Sequence, residues 1–398
     1  MRINTKPEHH RKAAELVEET HKNDGLAPVD LDGFYSAQSI AEKDPFGADI
    51  PQVPLGIWMS KECVFDELGL DADYWRLKED GEWRLALFKQ YNDKAEKIVG
   101  RRLLPETPPP PETDQYPPHK KLHHIFEGEQ QWHDRSWWLM QAADSPDELK
   151  ALLDRVEARL ENLREFVLPE GWEEERNRLM SRGIKPPLYR SQRGPVTFAA
   201  SIYGVENLIF LLHDNPKLAG RFRDLILKAM LGLADILDRE AGYTADNAPR
   251  GFSFSDDNCC LLTPDMYEFF GYPILKGMFD RYAPGPNDRR SQHSDSDMRH
   301  IVPVLGKLDL TGTNFGPPVM VDHIRKHLPR AVIRGQLAPF TFSRNDEEGM
   351  VAEFLRDFEL ARPQRGLVFG TAGSINNGSR LTGLRLIMAA IQRYGQYD

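Results

Sequence analysis

The sequence predicts an α/β fold: a (β/α)8 barrel of the TIM type with an N-terminal, partly helical extension. Three observations predict it. From about Arg193 onward, short β-like runs alternate with longer amphipathic runs, the pattern that βαβ units and a parallel sheet produce. No GxGxxG or GxxxxGK[ST] segment opens a helical run, so the mark of a nucleotide-binding open sheet is missing. The 398 residues accommodate one barrel of about 250 residues together with an added segment.

The β-like runs are GPVTFAAS, GFSFS, the stretch up to His293, DLTGTNF, AVIRGQL and LVFGTA. These six leave room upstream for the two further units of a closed barrel. Several helix starts are legible between and before them. Ser145 is an N-cap, Pro146 takes the first helical position and Glu148 is placed to return the capping bond. Leu149, Leu152, Leu153, Val156, Leu160 and Leu163 then recur on one helical face, which marks that face as core. Thr263-Pro264 starts another helix, and Ser343 with Asp346 resembles a capping box. Ser379 precedes RLTGLRLIMAAIQRY, which Gly395 terminates.

Residues 1–120 differ in character. Patches such as VPLGIW and FDELGL are broken by Pro and Gly and show little sustained periodicity, so an irregular, partly helical cap is expected there. The proline-rich stretch at about 104–118, LPETPPPPETDQYPP, must be extended, because proline lacks a donor and restricts its predecessor. It reads as the linker between an extension, 1–120, and the barrel, 121–398.

With 40% hydrophobic and 28% charged residues, the chain has the balance of a protein that buries a sizeable core. The net charge of -10 is spread along the chain with no basic stripe, which argues against a nucleic-acid partner. No apolar run approaches the roughly 20 residues of a membrane span, and the N-terminus lacks the apolar core of a signal peptide. A cytoplasmic enzyme with a small-molecule substrate is expected, with its three cysteines, Cys63, Cys259 and Cys260, reduced.

Functional side chains of a (β/α) barrel sit at the C-terminal ends of its strands. That rule selects Arg193, then Ser255, Asp256 and Asp257, then His293, Asp295 and Asp297. Further on it selects Asn314, Gln336, Thr371, Ser374, Asn376 and Asn377. In Gln292-His293-Ser294-Asp295 the histidine and the acid are two residues apart, so they point the same way in an extended segment. His293 and Asp295 would then act on one target as metal ligands or a proton relay; the other reading of Ser294 to Asp297 is a helix N-cap. Asp256 and Asp257 are adjacent, so one is expected to face the barrel mouth while the other caps or meets solvent. Arg190 and Arg193 lie just before a strand and either suit a substrate carboxylate or are ordinary surface arginines. Trp132, His133, Trp137 and Trp138 form an aromatic cluster that either walls an apolar pocket or packs as core.

From about Arg193 to Gly395 the chain resembles the uroporphyrinogen decarboxylase superfamily, which includes corrinoid-dependent methyltransferases. RGPVTFAASIYGVENLIFLLHDNP resembles that family's glycine-proline-phenylalanine strand and the helix after it. FSFSDDNCCLLTPDMYEFFGYPILK is similar to its aspartate strand and following helix. QHSDSD and TAGSINNGS fall where its metal-site strand and last strand end. The resemblance implies methyl transfer or demethylation of a small substrate, zinc as the metal and a corrinoid protein as partner. In that reading Asp257, His293 and Asp295 are catalytic, and His293 and Asp295 ligate the metal. Arg190, Arg193, Asn314, Gln336, Ser374 and Asn376 hold the substrate.

The chain also departs from the family pattern. Asp295 stands where the methyltransferases carry a first zinc-binding cysteine, the second cysteine position falls near Ala372 and Gly373, and no RQAGRY motif occurs near the N-terminus. Two alternatives follow from the same resemblance: a cofactor-free decarboxylase of a polycarboxylate, tetrapyrrole-like substrate, and a non-catalytic corrinoid- or tetrapyrrole-binding module.

Overall fold

The computed structural model describes residues 4–133 and 136–397. Along the chain, three well-formed helices come first: α1 (Pro7–Lys22), α2 (Leu31–Ala41) and α3 (Gly81–Val99). An antiparallel hairpin follows, β1 (Gln130–His133) and β2 (Ser136–Leu139), and then α4 (Pro146–Glu161). Next come β3 (Ser191–Arg193), α5 (Pro195–Tyr203), α6 (Val205–Asp214) and α7 (Pro216–Glu240). They lead to β4 (Phe252–Ser255), α8 (Pro264–Tyr282) and β5 (Arg290–Ser294). The chain ends with β6 (Gly312–Phe315), β7 (Val332–Leu337), α9 (Glu347–Ala361), β8 (Leu367–Thr371) and α10 (Leu381–Tyr394). This is an α/β protein whose parallel strands, β3 to β8, follow one another in chain order; among the described residues they number six, where the expected barrel has eight. No single described helix is long and apolar enough to cross a membrane.

The chain divides into two compact units. The first comprises Met1–Pro109, Ser294–Val302 and Gly312–Asp398, the second Pro110–His293 and Pro303–Thr311. In the first unit, residues 4–109 belong with β6, β7 and β8. Phe369 of β8 accepts from Gly56 N at 2.7 Å and donates to Pro54 O at 2.8 Å, so the VPLG run of the N-terminal segment lies parallel beside β8 through a Leu55 to Phe369 bridge. The helical part expected of the N-terminal segment takes the form of α1, α2 and α3, which are more regular than its broken periodicity suggests. In α1, Ala13, Leu16, Val17 and Thr20 are buried along one face, and in α3 Leu87, Phe88, Tyr91, Ala95 and Ile98 do the same. Asp80 caps α3 by accepting from Trp83 N at 3.0 Å. Proline and glycine interrupt the loops around these helices and dilute a periodicity that is regular within each of them.

In the second unit β3 pairs with β4 and β4 with β5, all parallel, with Arg193 opposite Ser255 and Ser255 opposite His293. The expected strand GPVTFAAS is corrected: the strand is only Ser191–Arg193, and Pro195–Tyr203 is a helix. Pro195 sits at the first helical position, where its missing N–H costs nothing. Eight of the nine residues of α5 are buried, so the run is apolar all round and shows no period that separates a helix from a buried strand. Elsewhere the legible caps form. Ser145 accepts from Glu148 N at 3.3 Å, although Glu148 returns its bond to Asp144 N rather than to Ser145. Thr263 accepts from Met266 N at 3.3 Å. Back in the first unit, Ser343 closes a short helix, Pro339–Ser343, and Asp346 itself caps α9 by accepting from Gly349 N at 3.0 Å, which corrects the capping box expected there.

Candidate active site

Strand β4 carries Phe252 and Phe254 inward, and the next residue, Ser255, is exposed. The two acids that follow diverge. Asp256 N donates to His293 O at 2.9 Å, and the Asp256 side chain turns into the protein, fully buried, to accept from Thr197 N at 2.8 Å. It therefore caps the first turn of α5 from outside that helix. Burial pushes its carboxyl up to about 6, against the hydrogen bonds from Thr197 and Val196 that favour the charged form. Gly194 makes this approach possible: a Cβ there would lie 2.1 Å from Asp256 Cβ and 2.7 Å from its Cα. Asp257 goes the other way. It opens a short 3-10 turn, Asp257–Leu261, and its half-buried carboxylate has an oxygen within 4.8 Å of a ring nitrogen of His293.

His293, one residue before the end of β5, is half-buried, and Asp295 is exposed. In the first unit Asp295 is fixed by the loop after β8, where Ser374 N donates to Oδ1 at 2.7 Å and Ser374 Oγ to Oδ2 at 3.3 Å. Asp297 does not share this task, because it is paired with Arg299, which holds its carboxyl below the usual range.

The remaining residues selected from the sequence fall into two groups. Arg193 ends β3 with an exposed side chain whose Nη1 donates to Ser201 Oγ at 3.3 Å. Arg190 precedes the same strand, at the opposite end from the candidate site. Its guanidinium pairs with Asp238 at 2.6 Å and donates to Pro249 O and Tyr189 O. Asn314 donates to Arg334 O at 2.6 Å and Thr371 O at 2.9 Å, tying β6 to β7 and β8. Gln336 is fully buried, and its Nε2 faces the carbonyls of Phe315, Gly316 and Val319. Asn376 takes part through its carbonyl, which accepts from Ser379 Oγ at 2.8 Å. Arg190, Asn314 and Gln336 are thus engaged in holding the fold.

Beside Asp257 the second unit contains a cavity of about 620 Å³, lined by Trp132, Trp138, Met140, Ser201, Gly204 and Asn258 among others. Trp132, His133 and Trp138 of the hairpin's aromatic cluster therefore form part of a pocket wall, and Trp137 does not. Opposite it, α5 and α6 meet at 104°. The bend is at Gly204, whose φ of +85° and ψ of 147° belong to a region that side chains avoid. Ser201, Gly204 and Asn258 were not singled out from the sequence; the one available signal was a glycine between two apolar runs, IYGVENLIF.

Fold and placement together define an α/β protein that gathers carboxylates, an imidazole and an apolar cavity at the carboxyl ends of parallel strands. No protein-family model and no curated protein matches the sequence. Among solved structures the chain is similar to a methyltransferase from Methanosarcina mazei, with 15% identity and a TM-score of 0.50 over 90% of this chain and 98% of that one. At that identity the likeness is one of fold.

Proposed function

We propose that the chain is an enzyme that transfers a methyl group from or to a small substrate, on strands that form part of a (β/α)8 barrel. Asp257, His293 and Asp295 would hold a divalent cation, and the acceptor would be a corrinoid protein or a similar carrier. The observation that carries the reading is the approach of Asp257 and His293 to within ligand distance at the ends of neighbouring parallel strands. Imidazole with two carboxylates suits zinc or another borderline divalent ion better than a soft, thiolate-preferring one. A ligating carboxylate is usually fixed by outer hydrogen bonds, and Asp295 has two from Ser374. The shared fold with a methyltransferase is consistent with this reading.

Methyl transfer leaves negative charge on the departing heteroatom, and a bound divalent ion would supply Lewis-acid stabilisation of that charge. The chain's own residues prepare the site. Asp256 anchors α5 to the end of β4, which sets where Asp257 starts its turn. Arg193, at the strand end, offers a guanidinium for an anionic substrate group. The alternative of a polycarboxylate decarboxylase is less well supported, because Arg190, one of its two expected carboxylate-binding arginines, is committed to Asp238.

The test is elemental analysis of protein purified without chelator, followed by assay of methyl transfer to cob(I)alamin. About one zinc or similar ion per chain, lost together with activity in His293→Ala, is the expected result. Protein that is metal-free and whose His293→Ala variant retains full activity would sink the reading.

A further inference from the structure

The cavity in the second unit has a composition that the proposed reaction does not require. Its volume of about 620 Å³ lies within the range of small-molecule sites, roughly 300–1,000 Å³. Trp138 is 58% exposed, and Met140 and Val205 are also open to solvent. Three large apolar side chains thus line one concavity with their surfaces uncovered, which is where a ligand's burial gains most. Among the described residues, no carboxylate and no lysine lines it. Its polar lining is Gln131, His133, Gln141, Asn258 and, at one edge, Ser201.

Charge at that edge comes from Arg193. Its guanidinium has five donors, and among the described residues the one hydrogen bond to its side chain is the 3.3 Å contact with Ser201 Oγ, itself a lining residue. Ser201 has a second commitment, donating to Thr197 O at 2.8 Å, so its hydroxyl proton is spent inward. A ligand anion beside Ser201 would meet the spare donors of Arg193. An ammonium group would meet a cation and no acid among the lining residues.

We infer that this cavity binds an aromatic carboxylate, its ring system against Trp132, Trp138 and Val205 and its carboxylate on Arg193. Gly204, where α5 bends into α6, also lines the cavity, with the Gln141 amide packed 3.0 Å from where its Cβ would stand. The inference deepens the reading above by naming the substrate class. It rests on that reading only for the claim that the ligand is a substrate, since Asn258 at the cavity edge follows Asp257 directly.

Isothermal titration of the full chain, in buffer containing a chelator, with 1-naphthoate, 1-naphthalenemethanol and 1-naphthylmethylammonium as probes, tests it. Naphthoate should bind saturably, with the alcohol about tenfold weaker or worse and the ammonium undetectable. Trp138→Ala and Arg193→Met should each weaken naphthoate by about tenfold, and Arg193→Met should bring the acid and the alcohol level. Val205→Trp, at a solvent-facing position, should fill the cavity and abolish binding while the far-ultraviolet circular dichroism is unchanged. Absence of saturable naphthoate binding overturns the inference. So does an alcohol that binds as tightly as the acid, or naphthoate affinity untouched by Trp138→Ala. Because the titration is run without metal, its failure leaves the metal analysis of His293→Ala to stand or fall separately.

Discussion

Ser374 holds the Asp295 carboxylate by both oxygens, through its backbone N–H at 2.7 Å and its hydroxyl at 3.3 Å. The contact depends on the residue before it. Gly373 has a φ of +91°, and a Cβ there would stand 2.1 Å from Asp295 Oδ1. Gly373→Ala should therefore displace the carboxylate and reduce divalent-ion affinity by about 10–100-fold, the usual cost of disturbing an outer hydrogen bond to a ligand. Ser374→Ala keeps the backbone donor and should cost far less. Competition titration of Zn²⁺ against a chromogenic chelator measures both, and equal affinities in the two variants would show that Asp295 is no ligand.

Arg190 is expected to matter for stability and not for the substrate. Its side chain is 12% exposed and that of its partner Asp238 is 6% exposed, and the guanidinium also lies 4.5 Å over the Tyr282 ring. Burial raises the Asp238 carboxyl above its ordinary range, with Arg190 opposing the rise. Arg190→Met leaves that acid buried without its cation and should destabilise the chain by about 3–5 kcal/mol. Asp238→Leu in the same chain should recover most of the loss. Urea denaturation reads both. A variant of unchanged stability with weakened ligand binding would return Arg190 to the site.

Arg190 and Arg193 show what the sequence could and could not disclose. The strand-end rule located Arg193, Asp257, His293 and Asp295 at carboxyl ends because it depends only on where strands stop, and β4 and β5 are punctuated by the polar runs SDD and HSDSD. In the sequence Arg190 reads together with Arg193 as lying just before a strand GPVTFAAS, whereas the β3 strand is three residues long, starts after Arg190 and ends on Arg193. α5 was hidden by its own burial, since an all-apolar run carries no period. Asn314 and Gln336 were selected by position, but their amides meet backbone carbonyls of neighbouring segments. Such partners are distant in sequence, so only the folded chain shows them. For the same reason nothing in VPLGIW announced that Leu55 pairs with Phe369 across more than three hundred residues.

Asp256 should prove structural where Asp257 is chemical. Asp256→Ala removes the acceptor of Thr197 N and leaves a buried donor without a partner, a loss of about 1–3 kcal/mol. Asp256→Asn keeps an oxygen for Thr197 and should recover most of it. Asp257→Asn should leave the melting temperature nearly unchanged and lower divalent-ion affinity. Differential scanning fluorimetry with and without Zn²⁺ separates the two; an Asp257→Asn chain still stabilised by zinc as much as the native one would remove Asp257 from the site.

His123 predicts the acid side of the stability curve. Burial pushes its imidazole down to about 4 from the ordinary 6.5, and His124, Lys121 and Arg193 add repulsion for the charged form. Between pH 6.5 and 4 the unfolded chain therefore binds a proton at this position that the folded chain refuses. Stability from His123 is complete above the unfolded value and is lost as pH falls through that window. His119 and His124 are shifted down as well, again chiefly by burial, so the slope has several contributors. His123→Leu should flatten it by at most about one proton, read from urea midpoints at a series of pH values between 4 and 7. The variant should also be no less stable than the native chain at pH 4.5, because the buried, uncharged state that the fold demands of His123 is the permanent state of leucine. A slope unaltered by the substitution would mean that His123 takes up its proton in the folded chain as readily as in the unfolded one.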